Sequence, residues 1–306
     1  MSTKETNATG AVVITGTSTG IGRATAVRLA GMGFRVFAGV RKQADSEELS
    51  QTPGVTPLLI DVTNEASVAA AAETVAGQTG AAGLRGLVNN AGITVPGPLE
   101  FLPLDDLRRQ LEVNVIGQIG VTQAFLPQLR TARGRIVNIG SIGGRMSMPF
   151  LGAYHVSKFG MEALSDSLRM ELRPWGIHVS LIEPGGITTP LWERGRAAAD
   201  ELLAKLPPRV DQLYGGAINA MREASAKFEK QGMPPEAVAK VIAQALTANM
   251  PKTRYLVGMD AHAQAILATI VPDRLMDRMM TWMLKLPKKA PDAALPPERQ
   301  PEDSLT

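Results

Sequence analysis

Short apolar runs of strand length alternate along this chain with longer segments of helical spacing. The first run, residues 11–15, is rich in β-branched side chains and leads through a glycine-containing turn into a helical pattern over residues 23–32. Strands that alternate with helices form βαβ units, which build a parallel sheet covered by helices on both faces. The pattern predicts an α/β fold with one doubly wound Rossmann domain. The strands of its sheet, about seven in number, are expected at residues 11–15, 35–40, 56–60, 86–88, 135–139, 178–182 and 254–257.

The alternation stops in three places. Residues 1–10 and 287–306 are rich in proline, charge, serine and threonine, and we expect both to be disordered because they cannot bury enough apolar surface. A long helical insertion, at residues 190–233, precedes the last strand and is interpreted as a lid over the substrate. Residues 11–286 are therefore predicted to be the folded domain, ending in a C-terminal helical extension.

Composition and charge exclude several classes of function. The 306 residues carry 32 Lys and Arg against 29 Asp and Glu, an excess too small and too dispersed for nucleic-acid binding. The chain has no cysteine, and its three histidines show no metal-ligand spacing, so no metal is expected. The polar N-terminus lacks the apolar core of a signal peptide, and no apolar run reaches the length of a membrane span. We expect a cytoplasmic protein.

The turn after the first strand, in the sequence AVVITGTSTGIG, predicts a nucleotide site. Its glycines let the backbone approach a diphosphate, and the following helix presents unpaired N–H groups and a positive dipole end to the anion. The spacing of Gly16, Gly20 and Gly22 differs from the common Gly-x-Gly-x-x-Gly, and Arg23 excludes a P-loop. The alternative is a turn whose glycines serve only close packing.

The end of the second strand indicates which dinucleotide binds. An acidic residue about twenty positions beyond the glycine turn is typical of NAD sites, whereas an arginine accommodates the 2′-phosphate of NADP. Here Val40 stands at the acidic position and Arg41 and Lys42 follow it. We expect NADP(H) to be preferred, with NAD(H) as the alternative if the two cations are only solvated loop charges.

Candidate catalytic residues follow the fifth strand. Tyr154 and Lys158 are four residues apart in a helical pattern, so the ammonium group can lie near the phenol. A nearby positive charge lowers the pKa of a tyrosine from its usual value near ~10, which makes Tyr154 usable as a general acid and base. Ser141, at the end of the strand, can hydrogen-bond a carbonyl oxygen beside that phenol. Each residue alone could equally be a surface or turn residue.

Together these motifs resemble those of the short-chain dehydrogenase/reductase family. The resemblance covers about residues 11–257 and implies an oxidoreductase that interconverts an alcohol and a carbonyl compound with a nicotinamide cofactor. The residues that carry it, in the order of the family, are Thr15-Gly-x-x-x-Gly-Ile-Gly, Asn89-Asn90-Ala91-Gly92, Asn114, Ser141 and Tyr154-x-x-x-Lys158.

The resemblance also implies a role for each residue. Tyr154 would exchange a proton with the substrate oxygen, and Lys158 would bond the nicotinamide ribose and depress the pKa of Tyr154. Ser141 would orient the carbonyl group, and Asn114 would hold a water in the proton relay. The residues implied at the cofactor, besides Tyr154, Lys158 and Arg41, are Gly16, Ser18, Gly20, Ile21 and Gly22 at the diphosphate, Asp61 and Val62 at the adenine, Asn89, Ala91 and Gly92 supporting it, and Pro184, Gly185, Ile187 and Thr189 at the carboxamide.

A competing serine-hydrolase site is excluded. Ser141 lies in Ile-Gly-Ser-Ile-Gly, out of frame for a Gly-x-Ser-x-Gly elbow. We interpret His155, His178 and His262 as structural.

Large apolar side chains in and before the insertion predict the substrate. As a set they indicate a bulky, hydrophobic alcohol or ketone. Tyr255-Leu-Val-Gly and the long tail resemble the family branch that acts on retinoids, steroids and similar lipophilic alcohols. The predicted substrate wall comprises Met146, Met148, Phe150, Leu191, Trp192, Leu203, Leu206 and Tyr214.

The stretch from Ala265 to Leu286 is expected to be an amphipathic helix that closes the pocket, packs on a partner subunit or rests on a membrane surface, and core or subunit packing is favoured. The resemblance implies a homodimer or homotetramer with a hydrophobic small-molecule substrate. Two other classes stay open: a catalytically silent NAD(P)-sensing protein, and a membrane-surface lipid-binding protein that uses the C-terminal segment.

Overall fold

A computed structural model describes residues 10–286 and Lys289 of this chain. Seven strands form one sheet in the order β3-β2-β1-β4-β5-β6-β7, and every pairing is parallel. The strands are β1 Ala11–Ile14, β2 Arg35–Val40, β3 Val55–Leu59, β4 Gly86–Asn89, β5 Arg135–Ile139, β6 His178–Pro184 and β7 Arg254–Val257. The predicted doubly wound fold is confirmed.

Eleven α-helices occur in the described part of the chain. They are α1 Gly20–Gly31, α2 Gln43–Ser50, α3 Glu65–Thr79, α4 Leu104–Leu111, α5 Gly117–Ala132, α6 Gly152–Glu171, α7 Leu191–Lys205, α8 Arg209–Gln231, α9 Pro235–Thr247, α10 Met259–Ile270 and α11 Asp273–Met283. A π-helical turn, Glu112–Ile116, joins α4 to α5. Helices lie on both faces of the sheet, as the unbroken apolar strands predict.

Alternate residues of β1, a central strand, pack into two separate hydrophobic cores on opposite faces of the sheet. Val12 and Ile14 pack with residues of α1 and α9, whereas Ala11 and Val13 pack with residues of α3 and α5. Successive side chains of a strand point to opposite faces, so a strand that is buried along its whole length must be apolar at every position. Because all seven strands are parallel, their carboxyl ends lie at one edge of the sheet, where a crevice can form.

The predicted bounds of the strands are accurate to within two residues. β2, β5 and β7 match the expected ranges, β1 ends one residue earlier, β3 is displaced by one residue, and β4 and β6 extend further. β1 ends early because Thr15 turns its hydroxyl to the loop after β4, where it accepts hydrogen bonds from the backbone N–H groups of Asn90 and Ala91, both 3.0 Å long.

The C-terminal prediction of one amphipathic helix is wrong. The chain forms α10 and α11 instead, because Pro272 cannot continue a helix and the chain is extended at Val271. Met280 of α11 and the following Leu284 are buried against Met221 of α8. The two segments expected to be disordered lie outside the described residues, except for Gly10 and Lys289.

Candidate active site

A cleft of about 1370 Å³ lies at the carboxyl ends of the strands. One wall consists of the glycine turn and the ends of β2 to β5, and the other consists of residues 184–199 and parts of α8 and α10. Of the residues predicted to bind cofactor or substrate groups, all except Gly22, Asn89, Leu206 and Tyr214 line it. The topology therefore brings together positions that are far apart in the sequence, from Gly16 to Leu203.

The glycine turn has the backbone that its sequence predicts. Gly16 and Gly20 have φ angles of +68° and +58°, which favour glycine. Gly22 does not line the cleft. It packs against the turn instead, since a Cβ atom there would lie 2.2 Å from the Gly16 carbonyl oxygen. Helix α1 has no acidic residue in its first turn and its N-cap, Thr19, makes no side-chain cap, so its N-terminus is available to an anion.

Asn90, not Asn89, braces this turn. The Asn90 amide donates hydrogen bonds to the carbonyl oxygens of Thr15 and Gly16, at 2.8 and 2.9 Å. Asn89 is buried behind the cleft, where its amide donates to Thr122 and Asn138, both at 2.9 Å. The Asn-Asn pair therefore supports the sheet and the turn from within, and its first member does not reach the cleft.

An amide ladder, Gln110, Asn114 and Gln118, fixes the loop after β4. Gln110 bonds to the backbone N–H of Val95 at 2.7 Å and the carbonyl of Ile93 at 2.9 Å. Asn114 bonds to both backbone groups of Ile93, at 2.9 and 3.0 Å. Gln118 donates to the Ala91 carbonyl at 2.6 Å. The two glutamines were not predicted, although three amide side chains at a spacing of four residues were the signal available in the sequence.

The ladder changes the interpretation of Asn114. Its Nδ2 donates to Ser157 Oγ at 3.1 Å as well as to Ile93, so both amide hydrogens are in use. Ser157 in turn donates to the Tyr154 carbonyl at 2.6 Å. Asn114 lines the cleft and connects the loop after β4 to the helix that carries Tyr154; its role in holding a water stays a prediction.

The far end of the cleft, beside β2 and β3, is lined by two exposed cations, Arg41 and Lys42, and by two carboxylates, Asp45 and Asp61. Asp61 accepts hydrogen bonds from the Thr63 N–H and hydroxyl at 3.0 and 2.7 Å. Burial opposes ionisation of Asp61, but those bonds and the nearby Arg41 charge outweigh it and lower its pKa. Arg41 is exposed, and within residues 10–286 it forms no hydrogen bond or ion pair. Its guanidinium group is free to meet a phosphate.

Ser141, Tyr154 and Lys158 converge at the centre of the cleft. Lys158 Nζ lies 5.6 Å from the centre of the Tyr154 ring and donates to the Ile139 carbonyl at 2.9 Å. Burial lowers the pKa of Lys158 to about 8. Ser141 follows β5 by two residues and caps a short 3₁₀ turn, where its Oγ accepts from the Gly143 N–H at 3.0 Å. The Ser141 hydroxyl hydrogen is left to interact with Tyr154 or a substrate.

The expected depression of the Tyr154 pKa is wrong for this arrangement. Burial raises the pKa of Tyr154, and the interaction with the Ser141 hydroxyl opposes that rise only in part. Desolvation penalises a phenolate more than the sequence spacing alone can reveal. Tyr154 is therefore a protonated phenol at neutral pH.

Pro184, the last residue of β6, lines the cleft together with Gly185, Ile187 and Thr189 of the following loop. This loop is held by a residue that was not predicted. The Gly186 N–H donates to Asp260 Oδ2 at 2.8 Å, and a Cβ atom at Gly185 would lie 2.1 Å from the same oxygen. Asp260 lies in the first turn of α10, two residues after the Tyr255-Leu-Val-Gly sequence. The C-terminal segment thus forms part of the site. An acidic residue at the start of a helix was the available signal, but it is a common one.

The insertion covers the cleft as two antiparallel helices, α7 and α8. Trp192 Nε1 donates to the Ile187 carbonyl at 2.8 Å, and Arg194 Nη2 lies 3.4 Å from Thr19 Oγ1 of the glycine turn. Ion pairs of Arg196 with Glu229, at 2.6 Å, and of Arg222 with Asp200 join the two helices. The segment therefore reaches from the loop after β6 across to the glycine turn.

Six of the eight predicted wall residues line the cleft. Leu206 packs against a separate cluster with Leu202 instead. The Tyr214 ring stacks edge-on against Phe101 and Phe150, with its hydroxyl donating to Glu100 at 2.5 Å. Both residues support the wall from outside.

Within the described residues, no cluster of three or more histidine, aspartate or glutamate side chains has the arrangement of a metal site. None of the helices in residues 10–286 combines the length and apolar character needed to cross a bilayer.

Comparison with known proteins identifies the family. A sequence model described as short chain dehydrogenase matches residues 10–200. The chain is similar to retinol dehydrogenase 5 of Homo sapiens, with 40% identity over 91% of this chain and 90% of that protein. It is also similar to an NADPH-dependent 3-dehydrocapnine reductase of Ornithobacterium rhinotracheale, with 35% identity over 89% of this chain and 96% of the relative. A crystal structure of a short-chain dehydrogenase from Streptomyces avermitilis superimposes with a TM-score of 0.72 and 28% identity, covering 92% and 97% of the two chains. The glycine turn, the Ser141–Tyr154–Lys158 centre and these matches agree, and the chain belongs to the short-chain dehydrogenase/reductase family.

Proposed function

We propose that this enzyme, a short-chain dehydrogenase/reductase acting on CH–OH groups with a nicotinamide cofactor, prefers NADP(H) and interconverts a bulky hydrophobic alcohol with its ketone or aldehyde. The observation that carries the proposal is the convergence of Ser141, Tyr154 and Lys158 in a cleft with a phosphate-accessible end and a largely apolar opposite end. The similarity to a retinol dehydrogenase and to an NADPH-dependent reductase supports it.

The residues present fit a dinucleotide. The glycine turn has no side chain between its backbone and the cleft at Gly16 and Gly20, so a diphosphate can approach the start of α1. Arg41 would bind the 2′-phosphate of NADP. Val40 stands where NAD-binding sites have an acidic residue, so no carboxylate at this position can bond the ribose hydroxyls of NAD. Lys158 would bond the nicotinamide ribose, and the loop from Pro184 to Thr189 would hold the carboxamide. A bound nicotinamide supplies or accepts the hydride.

Tyr154 moves the proton in this proposal. In the reductive direction its hydroxyl gives a proton to the substrate carbonyl oxygen, and in the oxidative direction the phenolate takes a proton from the alcohol. Ser141 donates a hydrogen bond to the same substrate oxygen, since a carbonyl oxygen can only accept, while the Gly143 N–H occupies one acceptor position of Ser141 Oγ. The raised pKa of Tyr154 keeps the proton donor intact at neutral pH. We therefore expect oxidation, which needs the phenolate, to accelerate with pH above neutrality.

The substrate end is apolar and adaptable. Met146, Met148 and Phe150 form one side, and Leu191, Trp192 and Leu203 of the lid form the other. Methionine side chains fill irregular gaps and tolerate different shapes, which suits a bulky lipophilic molecule. The lid would exclude water during the reaction.

The test is NADPH consumption against small ketones, steroid ketones and retinals, with Tyr154→Phe as the comparison. We expect turnover only with bulky lipophilic carbonyls and a loss of about 10²-fold to 10⁴-fold in kcat in the variant, with NADPH affinity retained. Arg41→Ala should weaken NADPH about tenfold to hundredfold and leave NADH unchanged. Binding of NADPH without turnover of any carbonyl would favour a sensor, and tighter binding of NADH would contradict the cofactor preference.

One exposed surface favours a second role, contact with a lipid surface. Leu275, Met279, Trp282 and Met283 lie on the solvent side of α11, and Trp282 is 80% exposed. Arg274 and Arg278 lie on an adjacent face of the same helix. Co-sedimentation with anionic liposomes that is lost in Trp282→Ala would support this role.

We also propose that the protein is a homodimer or homotetramer and that it is cytoplasmic. Light scattering after gel filtration would test the oligomeric state, and imaging of the tagged protein would test the localisation.

A further inference from the structure

His155 follows Tyr154 in α6 but takes no part in the chemistry proposed above. It is 3% exposed, lines the cleft and lies with its ring centre 5.7 Å from that of Tyr154. A buried histidine beside a reacting group needs partners for both ring nitrogens. Those partners are backbone groups at the two ends of the loop formed by residues 143–148.

The hydrogen bonds fix the tautomer of His155. The Met148 N–H donates to Nε2 at 3.0 Å, so Nε2 must carry a lone pair. The other nitrogen, Nδ1, lies 2.8 Å from the Gly143 carbonyl oxygen, and a carbonyl can only accept. The ring is therefore neutral with its proton on Nδ1, and one rigid side chain holds both Gly143 and Met148.

The two bonds act on different parts of the cleft. Gly143 is the residue whose N–H donates to Ser141 Oγ at 3.0 Å, so its position sets the direction of the Ser141 hydroxyl. Met148 packs with Met146 and Phe150 against Met221 and Met280, so its position sets the wall of the substrate end. A Cβ atom at Gly143 would lie 2.9 Å from Nδ1, which shows how closely the loop approaches the ring.

We propose that His155 is a positioning residue with two separable effects: its Nδ1–H fixes Gly143 and thereby Ser141, and its Nε2 fixes Met148 and thereby the substrate wall. This proposal rests on the proposed function, since it assigns the effects to turnover and to substrate binding. It does not make His155 an acid, a base or a ligand of the substrate.

Two variants separate the effects because each retains one hydrogen bond. The amide nitrogen of His155→Asn can occupy the place of Nδ1 and donate to Gly143, but nothing then accepts from Met148. The longer side chain of His155→Gln can place its oxygen near Nε2 and accept from Met148, but the donor to Gly143 is lost. We expect His155→Gln to lower kcat about fivefold to tenfold with KM unchanged. We expect His155→Asn to raise KM for a bulky carbonyl by a similar factor with kcat unchanged.

The loop should stay folded in both variants. Arg145, between Gly143 and Met148, forms two hydrogen bonds with the fully buried Glu183, one of them 2.9 Å long from Nη2 to Oε2. Thermal unfolding of both variants should therefore stay close to that of the wild type. A double-mutant cycle supplies the decisive comparison: in a Ser141→Ala background, His155→Gln should lower kcat no further. Additive losses, or equal changes of kcat and KM in both variants, would overturn the proposal.

Two measurements need no turnover. Long-range ¹H–¹⁵N spectra of the wild type should show a protonated Nδ1 and an unprotonated Nε2, and the Met148 amide should exchange slowly in the wild type and His155→Gln but rapidly in His155→Asn. If these hold while every carbonyl tested fails to react, the proposed function fails and the positioning of the loop stands. A charged ring, or a proton on Nε2, overturns the proposal whatever the activity.

Discussion

The two ends of the cleft are built in different ways. The cofactor end consists of backbone at the carboxyl ends of strands, braced by buried side-chain amides and by glycines that no other residue can replace. The substrate end consists of side chains from α7, α8 and the loop before α6, joined by partly exposed ion pairs and methionine-rich contacts. The first end is fixed by main-chain geometry, whereas the second is set by packing that can rearrange. Ordinary substitutions should therefore be severe at one end and mild at the other.

The largest expected effect is that of Gly22→Ala. The new methyl group would meet the Gly16 carbonyl oxygen at 2.2 Å and Asn90 Nδ2 at 2.5 Å, and neither atom belongs to a side chain free to move away. We expect a destabilisation of about 3 kcal/mol or more and the loss of NADPH binding, measured by chemical denaturation and by titration of cofactor fluorescence. Gly31→Ala is the control, since a methyl group there meets open space at the end of the same helix. Normal NADPH affinity in Gly22→Ala would show that the turn is less rigid than its geometry indicates.

The pH dependence of cofactor binding should come next in size. Burial lowers the pKa of Lys158 to about 8, so its charge is present below pH 8 and is lost as the pH rises above that value. If the charged form holds the ribose hydroxyls, NADPH binding favours the protonated form and takes up protons above pH 8. We expect the Kd for NADPH to rise by up to about tenfold per pH unit above pH 8, followed by calorimetry in buffers of different ionisation enthalpy.

Lys158→Met provides the comparison for this titration. The variant should bind NADPH more weakly at pH 7 and show no further loss between pH 8 and 9. An unchanged pH profile in the variant would assign the titration to another group. KM for the substrate should vary less over this range, because the side chains that line the substrate end are largely apolar.

A smaller effect is expected where the lid meets the cofactor end. Trp192→Phe removes the hydrogen bond from Nε1 to the Ile187 carbonyl and retains most of the aromatic packing. We expect KM for a bulky carbonyl to rise about threefold to tenfold in steady-state kinetics, with NADPH affinity nearly unchanged. Trp282→Phe, at an exposed position on α11, should have no effect on either quantity. A fall in NADPH affinity as large as the change in KM would mean that the two ends are not separable.

The smallest expected effect is a gain in the stability of the lid. Gly216 lies exposed within α8, with nothing near the position of a Cβ atom. Gly216→Ala should stabilise the lid by about 0.5–1 kcal/mol, seen as slower amide exchange in α8 and slower proteolysis of the insertion. If opening of the lid limits product release, kcat should fall slightly at the same time. Faster proteolysis of the variant would contradict an ordinary helical conformation at Gly216.

The difference between local backbone patterns and contacts made at a distance also explains which features the sequence could predict. The strands, the glycine turn and the Tyr154–Lys158 pair are local patterns, and the structure places them where the patterns predict. Gln110 and Asp260 were missed because they bind backbone groups of other segments. The amide spacing and the acidic residue at a helix start were visible in the sequence, but neither pattern identifies those backbone partners. The pKa of Tyr154 was predicted in the wrong direction because spacing shows the neighbouring charge but not the burial. The break at Pro272 could have been predicted from proline alone.

The amide ladder has a consequence for how this enzyme could change its substrate. Its three side chains hold the loop after β4 by bonds to main-chain atoms of Ala91, Ile93 and Val95. Ile93, Thr94 and Val95 line the cleft, and their side chains contribute nothing to those bonds. Their identities can vary while the path of the backbone is retained. The ladder thereby lets substrate selectivity evolve without a change in the backbone of the loop. Positions 93, 94 and 95 are therefore suited to a combinatorial library.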